Sequence, residues 1–289
     1  MFGNTLRLSH PLHLLLAALT YTLGASIPAY FGNPLQPAIF ALGLAGILLA
    51  QLSMSLLAEV FRPHNEPLIE NETPKQKETL RSNMLYISIV ALASAAFLIY
   101  QLYINHALVL STFIFYLSSF ILVLICAIPP FRLLNRGFGE LTLAVHIAYV
   151  IPSIGFLLQF RENHRLLIFV VVPLTALALA YFLIINFTTF PSDEKYQRGT
   201  LLRHLTWEHA VPFHHSLIVF AYVIFATAPL LGFSVLWPAF LTLPFAVLQI
   251  LLLRNISIGG KPNWTLLTAT ALAVFGLTTY FLTLTFWLR

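Results

Sequence analysis

The chain has 289 residues, of which 59% are hydrophobic and only 9% are charged, and its mean hydropathy is +0.86. A soluble domain carries about 25% charged residues, because polar side chains must cover its core. The composition therefore excludes a soluble enzyme, a disordered chain and a nucleic-acid-binding domain, and it indicates an integral membrane protein. The net charge of +5 is then expected to reflect Lys and Arg in cytoplasmic loops.

Apolar segments long enough to cross a bilayer recur along the whole sequence. A transmembrane helix needs about 20 mostly apolar residues, and the sequence predicts an all-α protein with nine such spans. The first has the length of a full span and lacks a small-residue cleavage site, so it is interpreted as a retained helix rather than a signal peptide. The predicted spans are 12–31, 37–57, 84–104, 107–128, 141–159, 166–187, 213–231, 233–253 and 264–287.

Basic residues are distributed unequally over the two sides that these spans define. With the N-terminus inside, twelve of the fifteen Lys and Arg residues lie on that side, and only Arg161, Arg165 and Arg289 lie on the other. Because Lys and Arg are enriched in cytoplasmic loops, the pattern predicts a cytoplasmic N-terminus in a cell inner or plasma membrane. The two long loops, 58–83 and 188–212, share the cytoplasmic side, where we therefore expect the functional face.

The first long loop holds five of the ten acidic residues. Glu59 lies where the second span leaves the membrane, a depth at which a carboxylate is costly unless it is paired or binds a cation. Glu59 is therefore a candidate ligand of a divalent metal that holds a phosphate group, and pairing is the alternative. For Glu66, Glu70, Glu72 and Glu78 the same metal site is one option, but we expect a solvated loop in which Glu and Lys pair.

The turn after the fourth span carries further polar candidates. Arg132 and Arg136 face the cytoplasm, and Glu140 opens a helix, where the helix dipole stabilises a carboxylate. His146 stands alone inside the fifth span, and a hydrogen bond to another helix is the expected role, with a functional one as the alternative. The single Cys126 lies in an apolar segment and has no partner for an intrachain disulfide.

The second long loop joins an acidic residue to several basic ones. Asn186 ends the sixth span, and Asp193, which is the only aspartate in the chain, lies seven residues later. Lys195 and Arg198 offer a point charge and a planar fork suited to phosphate oxygens, although a loop that contacts lipid headgroups is the alternative. Thr200 is expected to cap a short interfacial helix that ends near residue 209. Four histidines follow without the usual spacing of metal ligands: His204, His209, His214 and His215.

At these residues the sequence resembles the UbiA superfamily of intramembrane prenyltransferases, and within it the 1,4-dihydroxy-2-naphthoate (MenA-like) branch. The resemblance covers nearly the whole chain, so residues 1–289 are taken as one domain. The start of the chain, Arg7 to Gly24, is similar to the first helix of the family. Arg132 to Glu140 is similar to its turn of arginine, small residues and Gly-Glu, and Asn186 to Leu201 occupies the place of its second aspartate motif.

The resemblance implies a bundle with a cytoplasm-facing cavity and a definite chemistry. Such enzymes bind an isoprenyl diphosphate through Mg²⁺, and its ionisation gives an allylic cation that an aromatic or other lipophilic acceptor captures. Metal and basic side chains stabilise the leaving charge. By resemblance, Glu59 and Asp193 would be catalytic, and Glu59, Asn186 and Asp193 would hold the metal. The implied diphosphate-binding residues are Arg62, Asn186, Lys195, Arg198, Arg132 and Arg136.

The sequence departs from the family at both aspartate motifs. The first motif, Asn-Asp-x-x-Asp, ends the second helix, and the matching positions here are Ala58, Glu59 and Arg62. In the second motif Asp193 aligns with the last aspartate, and Thr189 replaces the one four residues earlier. Since the chain has one Asp, it cannot contain two intact aspartate motifs.

Three functions therefore stay open. The first is an atypical prenyltransferase, and the second is a non-catalytic relative that binds or carries an isoprenoid lipid or acts as a partner subunit. The third is a transporter, which would place ionisable groups near the bilayer midplane. Here the carboxylates lie at loops and helix ends, and His146 is the main mid-span candidate.

Overall fold

The computed structural model describes residues 7–63, 65–69 and 72–288. Within these ranges the structure contains nine helices that are long and apolar enough to cross a membrane, and it contains no strand. The predicted all-α architecture with nine spans is therefore confirmed. Glu70 and Arg289, to which the sequence assigned a loop position and a side of the membrane, lie outside the described residues.

The helices are numbered in chain order, and irregular turns occur within one of them and after another. α5 includes a π-helical turn at His146–Val150, and α7 is followed by a 3₁₀ turn at Ala228–Leu231. A second 3₁₀ segment, Ser234–Thr242, leads into α8. The helices are α1 (Pro11–Tyr30), α2 (Pro37–Val60), α3 (Pro74–Ile104), α4 (Leu110–Ala127), α5 (Gly139–Phe160), α6 (Arg165–Lys195), α7 (Leu201–Thr227), α8 (Leu243–Ser257) and α9 (Trp264–Leu288).

The first long loop is shorter than predicted. The sequence indicated a loop over 58–83, but α3 already begins at Pro74, so only 61–73 connects α2 to α3. A capping box starts α3: the Thr73 hydroxyl accepts a hydrogen bond from the Gln76 N–H, and the Gln76 side chain accepts one from the Thr73 N–H. Hydropathy detects only the apolar part of this helix, which explains the difference.

The second long loop shrinks in the same way. The sequence indicated a loop over 188–212, but α6 continues to Lys195 and α7 begins at Leu201. A short helix does begin at Leu201, as predicted, but it ends at a kink at Thr206 (φ 60°, ψ 165°) rather than near residue 209, and the rest of α7 continues from there into the seventh span. Thr200 is the N-cap residue, but among the described residues its side chain makes no capping hydrogen bond.

Glycine allows the central helices to approach closely. A Cβ atom on Gly24 of α1 would lie 1.9 Å from the carbonyl oxygen of Pro152, and one on Gly155 of α5 would lie 2.4 Å from that of Tyr21. Small residues at such crossings allow backbones to pack within a membrane. α5 and α6 are the most enclosed helices, and α9 packs against α1 and α6 to close the bundle.

A buried hydrogen-bond group joins three helices. His146 of α5 lies with Nδ1 2.9 Å from Oε1 of Gln51 in α2 and with Nε2 2.8 Å from Oγ of Ser119 in α4. The predicted role of His146, a hydrogen bond between helices, is therefore confirmed.

The end of α2, the start of α5 and the end of α6 meet at one end of the bundle. This end also carries the loops 61–73 and 196–200, and we call it the polar end.

Candidate functional site

A cavity of about 260 Å³ opens at the polar end, between α1, α2, α5 and α6. We call it the inner cavity. One part of its lining is apolar, and its mouth is charged. The apolar wall includes Met54, Leu143, Phe182 and Ile185, and the charged side chains are Glu59, Arg62, Glu66, Glu140, Asp193 and Arg198.

A second cavity, of about 570 Å³, lies outside the first. We call it the outer cavity, and residues such as Arg7, Ser192 and Tyr196 line it. The two cavities share part of their lining. The shared residues are His10, Glu59, Arg62, Glu66 and Arg198.

These charged side chains form an alternating series that we call the ion-pair ladder. At one end Glu59 Oε1 lies 3.0 Å from His10 Nε2 and accepts a hydrogen bond from Arg62 Nη2 at 2.7 Å. Arg62 Nη1 then lies 3.0 Å from Glu66 Oε1. In order, the ladder is His10, Glu59, Arg62, Glu66, Arg198 and Asp193.

Arg198 connects the two halves of the ladder. Its Nε donates to Glu66 Oε2 at 2.8 Å, its Nη2 contacts the other oxygen of Glu66, and its Nη1 donates to Asp193 Oδ1 at 2.9 Å. The hydrogen bonds to Glu66 raise the pKa of Arg198 above its ordinary value. Arg198 therefore links the loop 61–73 to the end of α6 as a permanently charged fork.

Local sequence explains how Glu66 reaches the ladder. Arg62 follows Glu59 by three residues and precedes Glu66 by four, so the turn after α2 brings the three side chains together. Arg81 Nη2 donates to the carbonyl of Arg62 at 2.8 Å, and Lys77 Nζ donates to the carbonyl of Glu66 at 2.6 Å. α3 thereby holds the backbone of the loop so that Glu66 points inwards.

The expectation of a solvated loop is wrong for Glu66. This residue is only 1% exposed and pairs with arginines rather than with the lysines of its own loop. For Glu72 the expected pairing is confirmed, because Lys77 Nζ lies 3.5 Å from its Oε1. Sequence reasoning missed Glu66 because its burial depends on Arg198, which lies 132 positions away.

Asp193, the only aspartate of the chain, receives a hydrogen bond from Thr189, at the position where the family resemblance implies another aspartate. Thr189 Oγ1 donates to Asp193 Oδ2 at 2.7 Å, one turn along α6. Asp193 is 1% exposed, and both of its oxygens are engaged, one by Thr189 and the other by Arg198. Thr189 thus takes part in the cavity as a hydrogen-bond donor, where an aspartate would have been a ligand.

Asn186 lies at the inner cavity but bonds to a residue that the sequence analysis did not assign to the site. Its Nδ2 donates to Glu140 Oε1 at 2.6 Å, while the Leu201 N–H donates to Glu140 Oε2 at 3.2 Å. Glu140 thus joins the start of α5 to α6 and α7, in addition to its place in the first turn of a helix. The signal that could have found it is the Gly-Glu turn at Gly139-Glu140.

The structure does not bring three of the proposed phosphate-binding cations to the inner cavity. Lys195 is exposed, and its Nζ lies 5.1 Å from the centre of the Tyr196 ring. It follows Asp193 by two residues, which turns it to the opposite side of the helix. Arg136 is exposed and donates to the carbonyl of Pro130 at 2.9 Å.

Arg132 lines a different cleft, of about 400 Å³. Burial and the neighbouring charge of Arg81 lower the pKa of Arg132. The 3₁₀ turn Leu133–Asn135 presents Leu134 and Asn135 to the inner cavity, which leaves the arginines on either side of the turn pointing elsewhere. Arg62, Asn186 and Arg198 are therefore the proposed phosphate ligands that do line the inner cavity.

The carboxylates in this arrangement do not fit a Mg²⁺ ion. Mg²⁺ takes six oxygen ligands in a near-octahedral arrangement, whereas Glu59 and Asp193 are each already bound by an arginine, and Asn186 is bound to Glu140. Among the residues that the structure describes, no group of three or more His, Cys, Asp or Glu side chains could hold a metal ion. The two guanidinium groups lie between the carboxylates, in the place that a bridging cation would need.

Comparison with known proteins identifies the fold. No family profile matches the chain, and no curated protein matches it by sequence. A solved UbiA homolog from Archaeoglobus fulgidus, bound to GPP and Mg²⁺, matches with a TM-score of 0.64 and 16% identity, covering 98% of this chain and 99% of that chain. The apo structure of a UbiA homolog from Aeropyrum pernix K1 matches with a TM-score of 0.54 and 14% identity, covering 92% and 96%. The chain therefore has the UbiA fold that the sequence resemblance implied.

Proposed function

We propose that this chain binds an isoprenyl diphosphate in the inner cavity and transfers the prenyl group to a lipophilic acceptor in the membrane. The observation that supports this most directly is the cavity itself, with arginines at its mouth and an apolar wall behind them. A solved protein with the same fold holds GPP and Mg²⁺. An aromatic acceptor, as in the MenA-like branch, is part of the proposal.

The side chains at the mouth suit the diphosphate. Arg62 and Arg198 each present a planar fork that can donate two parallel hydrogen bonds to phosphate oxygens. Met54, Phe182 and Ile185 provide the apolar surface against which a prenyl tail can be sheltered from water. The head and the tail of the ligand would thus meet different ends of the same cavity.

In the proposed reaction the bond between the prenyl carbon and the diphosphate oxygen breaks, and both electrons leave with the diphosphate. Arg62 and Arg198 stabilise the negative charge that develops on the leaving group. Phe182, an aromatic residue of the cavity wall, would stabilise the allylic cation, and the acceptor supplies the electron pair of the new bond. Glu59 and Asp193, which line the inner cavity, would accept the proton that an aromatic acceptor then loses, once their arginines have turned to the diphosphate.

A second function, binding of an isoprenoid without catalysis, is favoured by one specific observation. Every acidic residue of the ion-pair ladder already contacts at least one arginine, and Glu59 also contacts His10, so each carboxylate has a partner without a metal. The Mg²⁺ expected from the resemblance would have to displace guanidinium groups. The transporter hypothesis loses its main candidate, because both ring nitrogens of His146 lie within hydrogen-bond distance of other helices.

The sidedness of the site belongs to the same proposal. We place the polar end on the cytoplasmic side, because twelve of the fifteen Lys and Arg residues fall on that side in the predicted topology. A soluble isoprenyl diphosphate made in the cytoplasm would then reach the outer cavity directly. Protease cleavage of the 61–73 loop in inside-out vesicles, and its protection in right-side-out vesicles, tests this orientation.

The experiment for function uses the full chain in lipid nanodiscs. Geranyl diphosphate and longer homologues are added with and without Mg²⁺, and we measure both diphosphate release and the affinity for the non-hydrolysable thiolodiphosphate analogue. Prenyl transfer predicts binding and release, with both reduced about tenfold or more in Arg198→Met, because a charge-assisted contact is lost, and little changed in Lys195→Met. Binding without release at any chain length supports the second function, and the absence of binding refutes both.

A further inference from the structure

The carboxylate of Glu66 is bound by two arginines, in the way that a protein binds an anionic ligand. Its two carboxylate oxygens contact Arg198 through Nε and Nη2, and one of them also lies 3.0 Å from Arg62 Nη1. The residue is 1% exposed although it belongs to a loop. Two arginines that surround two anionic oxygens form the arrangement that proteins use to bind phosphate.

Glu66 also lies in the partition between the two cavities. It lines the inner cavity and the outer cavity, as do both of the arginines that hold it. A headgroup that enters from the outer cavity therefore meets the ion-pair ladder before it reaches the apolar wall. In the arrangement described, the phosphate-binding forks of Arg62 and Arg198 are occupied by Glu66.

We propose that Glu66 occupies the place of the ligand's phosphate in the unliganded protein and that Arg62 and Arg198 exchange it for the phosphate when a ligand binds. This inference rests on the proposed function, because it uses the same cavity and the same arginines. Only a headgroup with several anionic oxygens can then take over both of the contacts that Glu66 makes. A neutral prenyl alcohol cannot replace them, because two buried guanidinium groups would lose their acceptors.

The loop that carries Glu66 allows the exchange. It spans 61–73 between two long helices, and its backbone is held by Lys77 and Arg81 of α3 rather than by Glu66 alone. The carboxylate can therefore leave the arginines by a side-chain rotation while the loop stays attached. Released Glu66 would face the outer cavity, which it already lines.

The first test measures access to the inner cavity without any ligand. Cys126 is the only cysteine of the chain, it is buried, and it lines the inner cavity. We expect Glu66→Gln to raise the rate at which methyl methanethiosulfonate modifies Cys126 by about tenfold, because a neutral amide holds the arginines less firmly. The control is Glu78→Gln, which changes an exposed carboxylate of α3 that lines neither cavity, and its labelling rate should equal that of the wild type.

The second test measures the competition between Glu66 and a phosphate. Glu66→Gln should bind geranyl thiolodiphosphate about tenfold more tightly than the wild type, because an internal anion no longer competes for the arginines, while Glu78→Gln should not. Geraniol should bind all three proteins equally. If Glu66→Gln does not fold, Glu66→Asp, whose shorter side chain cannot span both arginines, should show the same two changes to a smaller extent.

The outcomes separate this inference from the proposed function. Binding of the analogue by the wild type, with no gain in either Glu66 variant, overturns the role of Glu66 and leaves the proposed function standing. Loss of analogue binding in every protein refutes the proposed function, and the labelling of Cys126 then decides whether Glu66 closes the inner cavity. Equal labelling of the Glu66 variants and the wild type overturns the inference.

Discussion

Arg198→Met tests the energy stored in the ion-pair ladder. The substitution keeps the apolar stem of the side chain and removes the guanidinium, which leaves Glu66 with Arg62 alone and Asp193 with Thr189 alone. Both carboxylates are 1% exposed. Removing one partner of a buried ion pair costs about 3–5 kcal/mol. Because the side chain of Arg198 is 25% exposed, solvent screens part of the interaction, and we expect a loss near the lower limit, about 3 kcal/mol.

The measurement is reversible unfolding in mixed detergent micelles, followed by circular dichroism. Lys195→Met is the matched control, because it removes an exposed cation that precedes Arg198 by only three residues, and its effect should stay within about 0.5 kcal/mol. The double variant Arg198→Met with Glu66→Gln should be more stable than the sum of the single effects predicts, with a coupling of about 1–3 kcal/mol. Equal stability of the Arg198 and Lys195 variants, or strict additivity in the double variant, would refute the view that the ladder is one coupled unit.

Three further predictions concern the bundle and its cation requirement. Ser119→Ala should lower the free energy of unfolding by about 0.5–2 kcal/mol, because a hydrogen bond between helices is lost; Ser118→Ala, whose hydroxyl bonds within its own helix, should be neutral, and an equal loss in both would contradict this. Gly24→Ala should cost about 1–3 kcal/mol or more in the same assay, because the added methyl would lie 1.9 Å from Pro152 O; Gly276→Ala, with its nearest atom at 3.9 Å, is the control, and similar melting of both would be inconsistent with the described helix crossing. Addition of EDTA to the ligand-free protein should leave its melting temperature unchanged, since each carboxylate of the ladder already pairs with an arginine. A clear decrease would show a structural metal.

Much of the fold could be predicted because each transmembrane span can be recognised from its own apolar sequence. A segment of about 20 apolar residues has few alternatives to a transmembrane helix, so all nine were found without tertiary information. The ends of the helices were not found, because α3 and α6 continue as polar helices beyond the apolar segment. Capping by Thr73 and the continuation to Lys195 depend on local hydrogen bonds and packing, which hydropathy does not measure.

The candidate site divides in the same way. Glu59 and Asp193 were identified because a carboxylate at a helix end is conspicuous in an apolar sequence, and both line the inner cavity. Glu66 was misjudged because its partner lies on another loop. The contacts of Arg62 with Glu59 and Glu66 could have been predicted from the sequence, because the three residues follow one another at intervals of three and four positions. Contacts between distant segments have no such interval and require the fold.

The length of α6 has a consequence for the depth of the inner cavity in a bilayer. Its 31 residues rise about 1.5 Å each, or about 46 Å in all, against about 30 Å for the hydrocarbon layer. A spanning α6 is therefore long enough for its last turns, which carry Asp193, to reach the headgroup layer, with Phe182 three turns deeper along the helix. The amphiphilic ligand proposed above would thus keep its natural depth in the bilayer as it enters, so that its transfer from lipid to protein would require no extraction of the tail into water.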